Sequence, residues 1–161
     1  MRSHSLKSGR AQQGVAMVEF AIALPLLLLL LLGIAELGRM LYQYNSLLQA
    51  SRDAGRFVAG KAWNNTLGQV VLTSNVQTQA QNLAVYGVPN NPGCNVDVPG
   101  CAVVTGLETS NVQVAPVGAE HVQVSINFTF RPVIGTGLPA LIGDAIPLNI
   151  PLVATTVMRG L

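Results

Sequence analysis

The chain is poor in charge: of 161 residues, 10% are Asp, Glu, Lys or Arg, and the formal net charge is +2, where average soluble domains carry roughly a quarter charged residues. Aromatics are scarce as well, at 5%. Most of the basic residues fall at Arg2, Lys7 and Arg10 or at Arg39, Arg52, Arg56 and Lys61. They form no patch interleaved with aromatics, so nucleic acid is not an expected partner. With 161 residues there is room for an anchor and one modest domain, not for two well-packed ones.

Catalytic material is equally thin. His121 stands alone beside Glu120, since the other histidine, His4, lies in the extreme N-terminal stretch. No serine or cysteine sits in a nucleophile motif, and no glycine-rich phosphate loop occurs. Asp97, Glu108, Glu120 and Asp144 are scattered over loops with no common face for acid and base roles. The expectation is a non-enzymatic protein with no cofactor, no metal and no small-molecule substrate. Cysteine is limited to Cys94 and Cys101, with six residues, rich in turn formers, between them, which is unlike CxxC metal or redox pairs. A disulfide closing that loop is expected, in an oxidising compartment; the alternative is two unpaired, buried thiols.

What the chain does have is one long apolar run. Phe20 to Ala35 contains no charge and, with Val15 to Val18, approaches the roughly 20 residues that cross a bilayer. Glu19 and Glu36 bracket it. The first 14 residues, MRSHSLKSGRAQQG, are basic, lack acid and show no apolar periodicity, and so read as a cytoplasmic tail. Basic residues near the span favour an N-terminus inside. Three readings compete: a removable signal peptide, an uncleaved anchor displaying a small binding or adhesion domain, or a leader cleaved ahead of the apolar run. The first wants small residues after the run, yet GIAELGRMLYQYNSLLQ continues as helix.

Gly14, Val15, Glu19 and Phe20, in G-VAMVEF, separate the other two. An acid inside an apolar span costs up to ~3 kcal/mol near the membrane centre, so something must offset it. Cleavage after Gly14 would create an amine on Val15, and Glu19 of one subunit could pair with that amine on a neighbour. Alternatively Glu19 sits at the interface, favoured by the N-terminal end of the helix dipole.

Residues 14 to 59, GVAMVEFAIALPLLLLLLLGIAELGRMLYQYNSLLQASRDAGRFVA, resemble the TadE-like family, minor pilins or pseudopilins of the tight-adherence (Tad, or Flp) type IV pilus assembly system. The tail ATTVMRG, Ala154 to Gly160, resembles that family's ending. The resemblance implies a pilin-like N-terminal helix and cleavage by a prepilin peptidase at a site carried by Gly14, Val15, Glu19 and Phe20. It also implies residence in the bacterial inner membrane as a single-pass protein whose C-terminal domain is periplasmic or extracellular. Other pilin-like subunits and the assembly platform would be its partners, in pilus assembly, priming or capping.

The organisation expected is a leader over 1–14, a transmembrane segment over 15–37, an amphipathic stem helix over 38–62 and a small extracytoplasmic α+β domain over 63–161. Leu37, Met40, Leu41, Tyr44, Leu47, Leu48, Ala54, Val58 and Ala62 recur at helical spacing and predict a helix to about Lys61. Pro25 either loosens or bends it or is simply tolerated, as proline is in membrane helices. Glu36 with Arg39 and Asp53 with Arg56 are spaced to pair. A second helix is predicted from Ser74, as its cap, to Tyr86, with Val76, Ala80, Leu83 and Ala84 inward and Gly87 as the stop. GVPNNPGCNVDVPGC, rich in proline and glycine, is an irregular loop. Val122, Val124, Ile126, Phe128 and Phe130 alternate with polar residues and predict a half-buried strand over His121–Arg131. Asn111–Ala115 would be its hairpin partner, and Ile146–Met158, with Pro147 and Pro151, a further strand beginning at an edge. The fold class is α+β: a long N-terminal helix, a short second helix and a small C-terminal antiparallel sheet.

Overall fold

The computed structural model describes residues 9–133, 137–138, 146–147 and 149–161. Arg2 and Lys7 of the leader, Asp144, and Leu148 within the last expected strand lie outside them. The protein is α+β as expected. It divides into two compact units, Met1–Gly38 and Arg39–Leu161, and helix α1, Gly9–Lys61, contributes to both.

α1 begins earlier than the leader's lack of apolar pattern suggested. Arg, Ala and Gln are good helix formers, and extending an existing helix avoids the cost of nucleation, so residues 9–14 join the helix without needing a core. α1 also runs through Pro25 without a break. In the first unit, side chains from residue 14 to 35 are exposed except for half-buried Leu29 and Gly33. The most apolar 18-residue window there has a mean hydropathy of 2.7 and no buried residue, so this helix is long and apolar enough to cross a membrane.

The second unit holds the core. Its part of α1 buries Leu47, Ala50, Ser51, Ala54, Val58 and Ala59, and Ala62 just past its end is buried too. Leu37 and Leu41, expected on the inward face, are half or more exposed, at 51% and 57%. The buried stripe is made largely of small residues, which allow close approach to a sheet: the Ser51 and Thr156 hydroxyls hydrogen-bond at 2.8 Å, and a Cβ on Gly55 would touch Met158 and Thr156 at 3.5–3.6 Å. Asp53 and Arg56 are exposed and do not pair with each other.

After α1, two-residue strands β1 (Trp63–Asn64) and β2 (Gln69–Val70) form a small hairpin. The Asn64 side-chain oxygen accepts from the N–H groups of Thr66 and Leu67, which closes its turn. Helix α2 spans Ser74–Tyr86 as predicted, but its cap is Thr73, whose hydroxyl accepts from Val76 N–H, and not Ser74. Ala80, Asn82, Ala84 and Val85 are its buried residues; Val76 and Leu83 are half-buried. Gly87 ends it in the left-handed region at φ 72°, its N–H bonded to Leu83, a conformation glycine adopts without Cβ strain.

The main sheet has the order β3-β4-β7, all antiparallel, with β3 at Val112–Val117, β4 at His121–Thr129 and β7 at Pro151–Arg159. All five inward residues expected of the central strand are buried. The hairpin β3–β4 is the one expected, and β7 starts at Pro151. Ahead of it, β5 (Gly137–Leu138) and β6 (Ile146–Pro147) pair separately. Of the two sheet edges, β3 is covered by α2: Gln77 and Gln81, four apart on one helix face, donate to the carbonyls of Val114 and Val112 at 3.1 and 3.0 Å. These bonds occupy acceptors that an open edge would offer to another chain.

The chain end closes on the end of α1. Leu161 N–H donates to Ala59 O, Val71 N–H to Ala62 O, and Gly160 N–H to Glu120 O. The first two satisfy carbonyls that the end of α1 would otherwise leave orphaned; the third ties the chain to the β3–β4 turn. A Cβ on Gly160 would lie 2.6 Å from the Trp63 ring and 3.0 Å from Val70. Gly160→Ala is therefore expected to lower stability by about 1–3 kcal/mol, read as a lower denaturant midpoint in the fluorescence of Trp63, the only tryptophan. An unchanged midpoint would show that the indole yields freely.

Candidate processing and assembly segment

Gly14, Val15, Glu19 and Phe20 all lie on the early turns of α1. Val15 and Glu19 are four residues apart and so share one helix face. All four are exposed, with Val15 at 69% and Phe20 at 62%. Glu19 is flanked by exposed Met17, Val18 and Phe20, and among the described residues its carboxylate has no hydrogen-bond or ion-pair partner. Glu36, at the other end of the apolar run, is buried. A Cβ built on Gly14 meets nothing within 4 Å, so the helix has no steric need of glycine there. Glycine is about 1 kcal/mol worse than alanine inside a helix, so Gly14 locally weakens this turn.

The other candidate residues are held apart from this segment. Cys94 and Cys101 are joined by a disulfide with Cα atoms 6.0 Å apart. The bond closes the irregular loop after α2, where an Asx turn at Asn95 (2.9 Å to Asp97 N–H) and Val103 N–H bonded to Val85 O fix the backbone. His121 opens β4 as an exposed residue, and its neighbour Glu120 pairs with Arg159 at 2.9 Å. Both partners of that pair are well exposed, so it contributes little. Glu108 caps a short 3-10 turn, Thr109–Asn111, with its carboxylate accepting from Ser110. Among the described residues no three of His, Cys, Asp and Glu gather where they could hold a metal.

Sequence reasoning missed one cluster. Arg39 sits with its guanidinium 4.8 Å from the Phe130 ring centroid and donates to the carbonyl of Arg131. Alternation along β4 marks Phe130 as inward, but nothing in the sequence ties it to a residue 92 positions away. A cation over an aromatic face is worth about 0.5–2 kcal/mol, so this contact pins the start of the second unit to the end of its central strand.

Against known proteins, a family model described as TadE-like protein matches residues 14–56. That is the stretch in which the sequence resemblance is densest, and it begins at Gly14. No curated protein and no solved structure matches the chain.

Replacing both Cys94 and Cys101 by alanine should cost roughly 2.5 kcal/mol by the chain-entropy relation for so short a loop. Chemical denaturation of the two forms, read through Trp63, measures it. A loss near zero would mean that the unfolded chain already keeps that loop compact.

Proposed function

Starting from a TadE-like segment that opens at Gly14, we propose that the chain is a minor pilin or pseudopilin of a tight-adherence pilus, cleaved by a prepilin peptidase between Gly14 and Val15. It acts in assembly, priming or capping with other pilin-like subunits, anchored in the bacterial inner membrane with the Arg39–Leu161 unit outside the cytoplasm. The observation that carries this reading is Glu19: an exposed carboxylate with no partner among the described residues, set in a row of exposed apolar side chains. Leaving it bare in lipid costs up to ~3 kcal/mol, and the new amine of Val15 on a neighbouring subunit is a matched charge that would offset the cost. Pairing between subunits, not within one, gives the carboxylate a role in register.

One observation favours a second reading, an uncleaved single-pass anchor that displays the outer unit for binding or adhesion. α1 is helical on both sides of the Gly14–Val15 bond, and a peptidase needs that turn opened. The weak helix propensity of glycine at this point lowers the cost of opening.

Gly14→Val, which the open space at this position accommodates, is expected to leave the leader on the mature protein, whereas the parent chain begins at Val15. N-terminal sequencing with intact mass decides between them. A parent chain that retains residues 1–14 would establish the anchor reading instead. Glu19→Ala should insert into the membrane normally and sharply reduce surface pili, counted by electron microscopy. Pili at the parental number would remove Glu19 from subunit pairing.

A further inference from the structure

The main sheet has two edges, and α2 covers the one at β3. The other edge is β7. Phe130 N–H bonds Ile150 O at 2.9 Å and Gly160 N–H bonds Glu120 O at 2.7 Å, one at each end of the β4–β7 register. In an antiparallel ladder such pairs recur at every second residue, so the even-numbered residues of β7 turn their N–H and C=O groups toward β4. Val153, Thr155 and Val157 turn theirs outward, and among the described residues none of these groups has a hydrogen-bond partner. The same phase on β3 sends the carbonyls of Val112 and Val114 outward, where Gln81 and Gln77 meet them.

Within the Arg39–Leu161 unit, α1 forms a wall along that edge. Arg39 stacks on Phe130 at one end, Ser51 bonds Thr156, and Ala59 O accepts from Leu161 N–H at the other, so α1 runs alongside β7 in the same direction. On its other flank, Gln49 and Asp53 share a cavity with Leu83 and Gly87 at the end of α2. Because α2 also covers β3, and β4 separates β3 from β7, the open edge lies on the side of α1 away from α2. The α1 face on that side is the one with Gly55, set against Thr156 and Met158. Leu41, Leu48 and Arg52 precede Gly55 at helical spacing and share its face. Leu41 is 57% exposed, Leu48 is half-buried and Arg52 is exposed. Among the described residues Arg52 has no ion-pair partner.

Soluble sheets blunt such an edge with lysine, internal proline or inward charge; from Leu152 to Met158 β7 has no charge and no proline. We infer that the open edge of β7 takes a strand from another protein. Its backbone pairs with Val153, Thr155 and Val157, its inward apolar side chains enter beneath Leu41 and Leu48, and an inward acid meets Arg52. Charge selects this occupant over a second copy of the chain. β7 has no acid to offer, and pairing it antiparallel with itself about Thr155 would set Arg52 of one copy against Arg52 of the other, because Ser51 bonds the neighbouring Thr156. The partner is therefore an extended segment of alternating apolar and polar residues that carries acid. The surface lies wholly within Arg39–Leu161 and does not depend on cleavage at Gly14.

The probe is a fluorescein-labelled synthetic nonapeptide with valine at its third, fifth and seventh positions, glutamate at its first and last, and threonine elsewhere. A second peptide carries lysine in place of glutamate. Each is titrated into the full-length chain in nanodiscs, and binding is read by fluorescence anisotropy. The glutamate peptide is expected to bind about fivefold more tightly than the lysine peptide, and Arg52→Glu to reverse that order. Thr155→Pro removes an outward N–H and spares the bonds to β4, so it should weaken both peptides about tenfold with little change in the thermal midpoint read through Trp63. Bound glutamate peptide should slow amide hydrogen exchange at Val153, Thr155 and Val157 and leave Val114 on the covered edge unchanged. A parent chain that does not bind the glutamate peptide, or a folded Thr155→Pro chain that binds it equally, would overturn the strand site. Should Thr155→Pro not fold, protection spread evenly over both edges would overturn it instead. Peptide preference that ignores Arg52→Glu would overturn the acidic partner. A parent chain that sediments in detergent as a dimer, with Val153, Thr155 and Val157 protected in the dimer, would assign the edge to a second copy and overturn the proposal.

Discussion

The Arg39–Leu161 unit depends on how closely one helix can approach one sheet. α1 presents Ala50, Ser51, Ala54, Gly55 and Ala59 to the interior, and large side chains there would push the sheet away and open voids, which cores tolerate poorly. With the helix close, the Ser51 and Thr156 hydroxyls hydrogen-bond at 2.8 Å, and Leu47 and Val58 are buried in the same core as the inward valines of β4. The sheet then has one covered face and one edge already taken by the glutamines of α2. The final residues can bond to the carbonyls at the end of α1 only because the helix is that near.

This dependence explains what could be read from the sequence and what could not. Periodicity of two along β4 named every inward residue of that strand, because large β-branched and aromatic residues there alternate with polar ones. α2 was legible from its glycine stop and its 3.6-residue pattern. The inward face of the second half of α1 was only half legible. A reading weighted toward large apolar residues chose Leu37 and Leu41, whereas small residues form the contact and carry little hydropathic signal. Long-range pairs were illegible for another reason: the Arg39–Phe130 stack and the Trp63–Gly160 approach join positions that no local pattern connects. At the candidate segment the types and spacing of Gly14, Val15, Glu19 and Phe20 were all visible, but their exposure, and the helix running upstream of them, were not.

The first unit obeys a different rule. Between residues 14 and 35 its side chains find almost nothing within the chain to cover them, and each large aliphatic left in water forgoes about 1.5–3 kcal/mol of transfer free energy. Lipid would remove that penalty for every residue except Glu19. Nothing else in that stretch is charged, and the same solvent that suits the leucines makes this carboxylate costly. The two halves of α1 are therefore solved separately: one by small residues meeting a sheet, the other by a surrounding medium that leaves a single unmet charge.

That unmet charge and the glycine before it make opposite demands on the same turns. Pairing by Glu19 works best if the helix is stiff, so that Val15 and Glu19 keep their shared face at fixed spacing. Cleavage between Gly14 and Val15 requires the helix to open. Placing glycine immediately before the bond puts a weak point on its N-terminal side, since residues 15 to 24 contain neither glycine nor proline and belong to a long continuous helix whose nucleation is already met. Opening the turn at Gly14 also leaves the helix beyond it with free N–H groups and a positive dipole end. A new amine at Val15 adds to that positive end, one helical turn from Glu19. In the proposed assembly the carboxylate of a neighbour would meet both the amine and the dipole, the arrangement in which an acid at this position would be least costly.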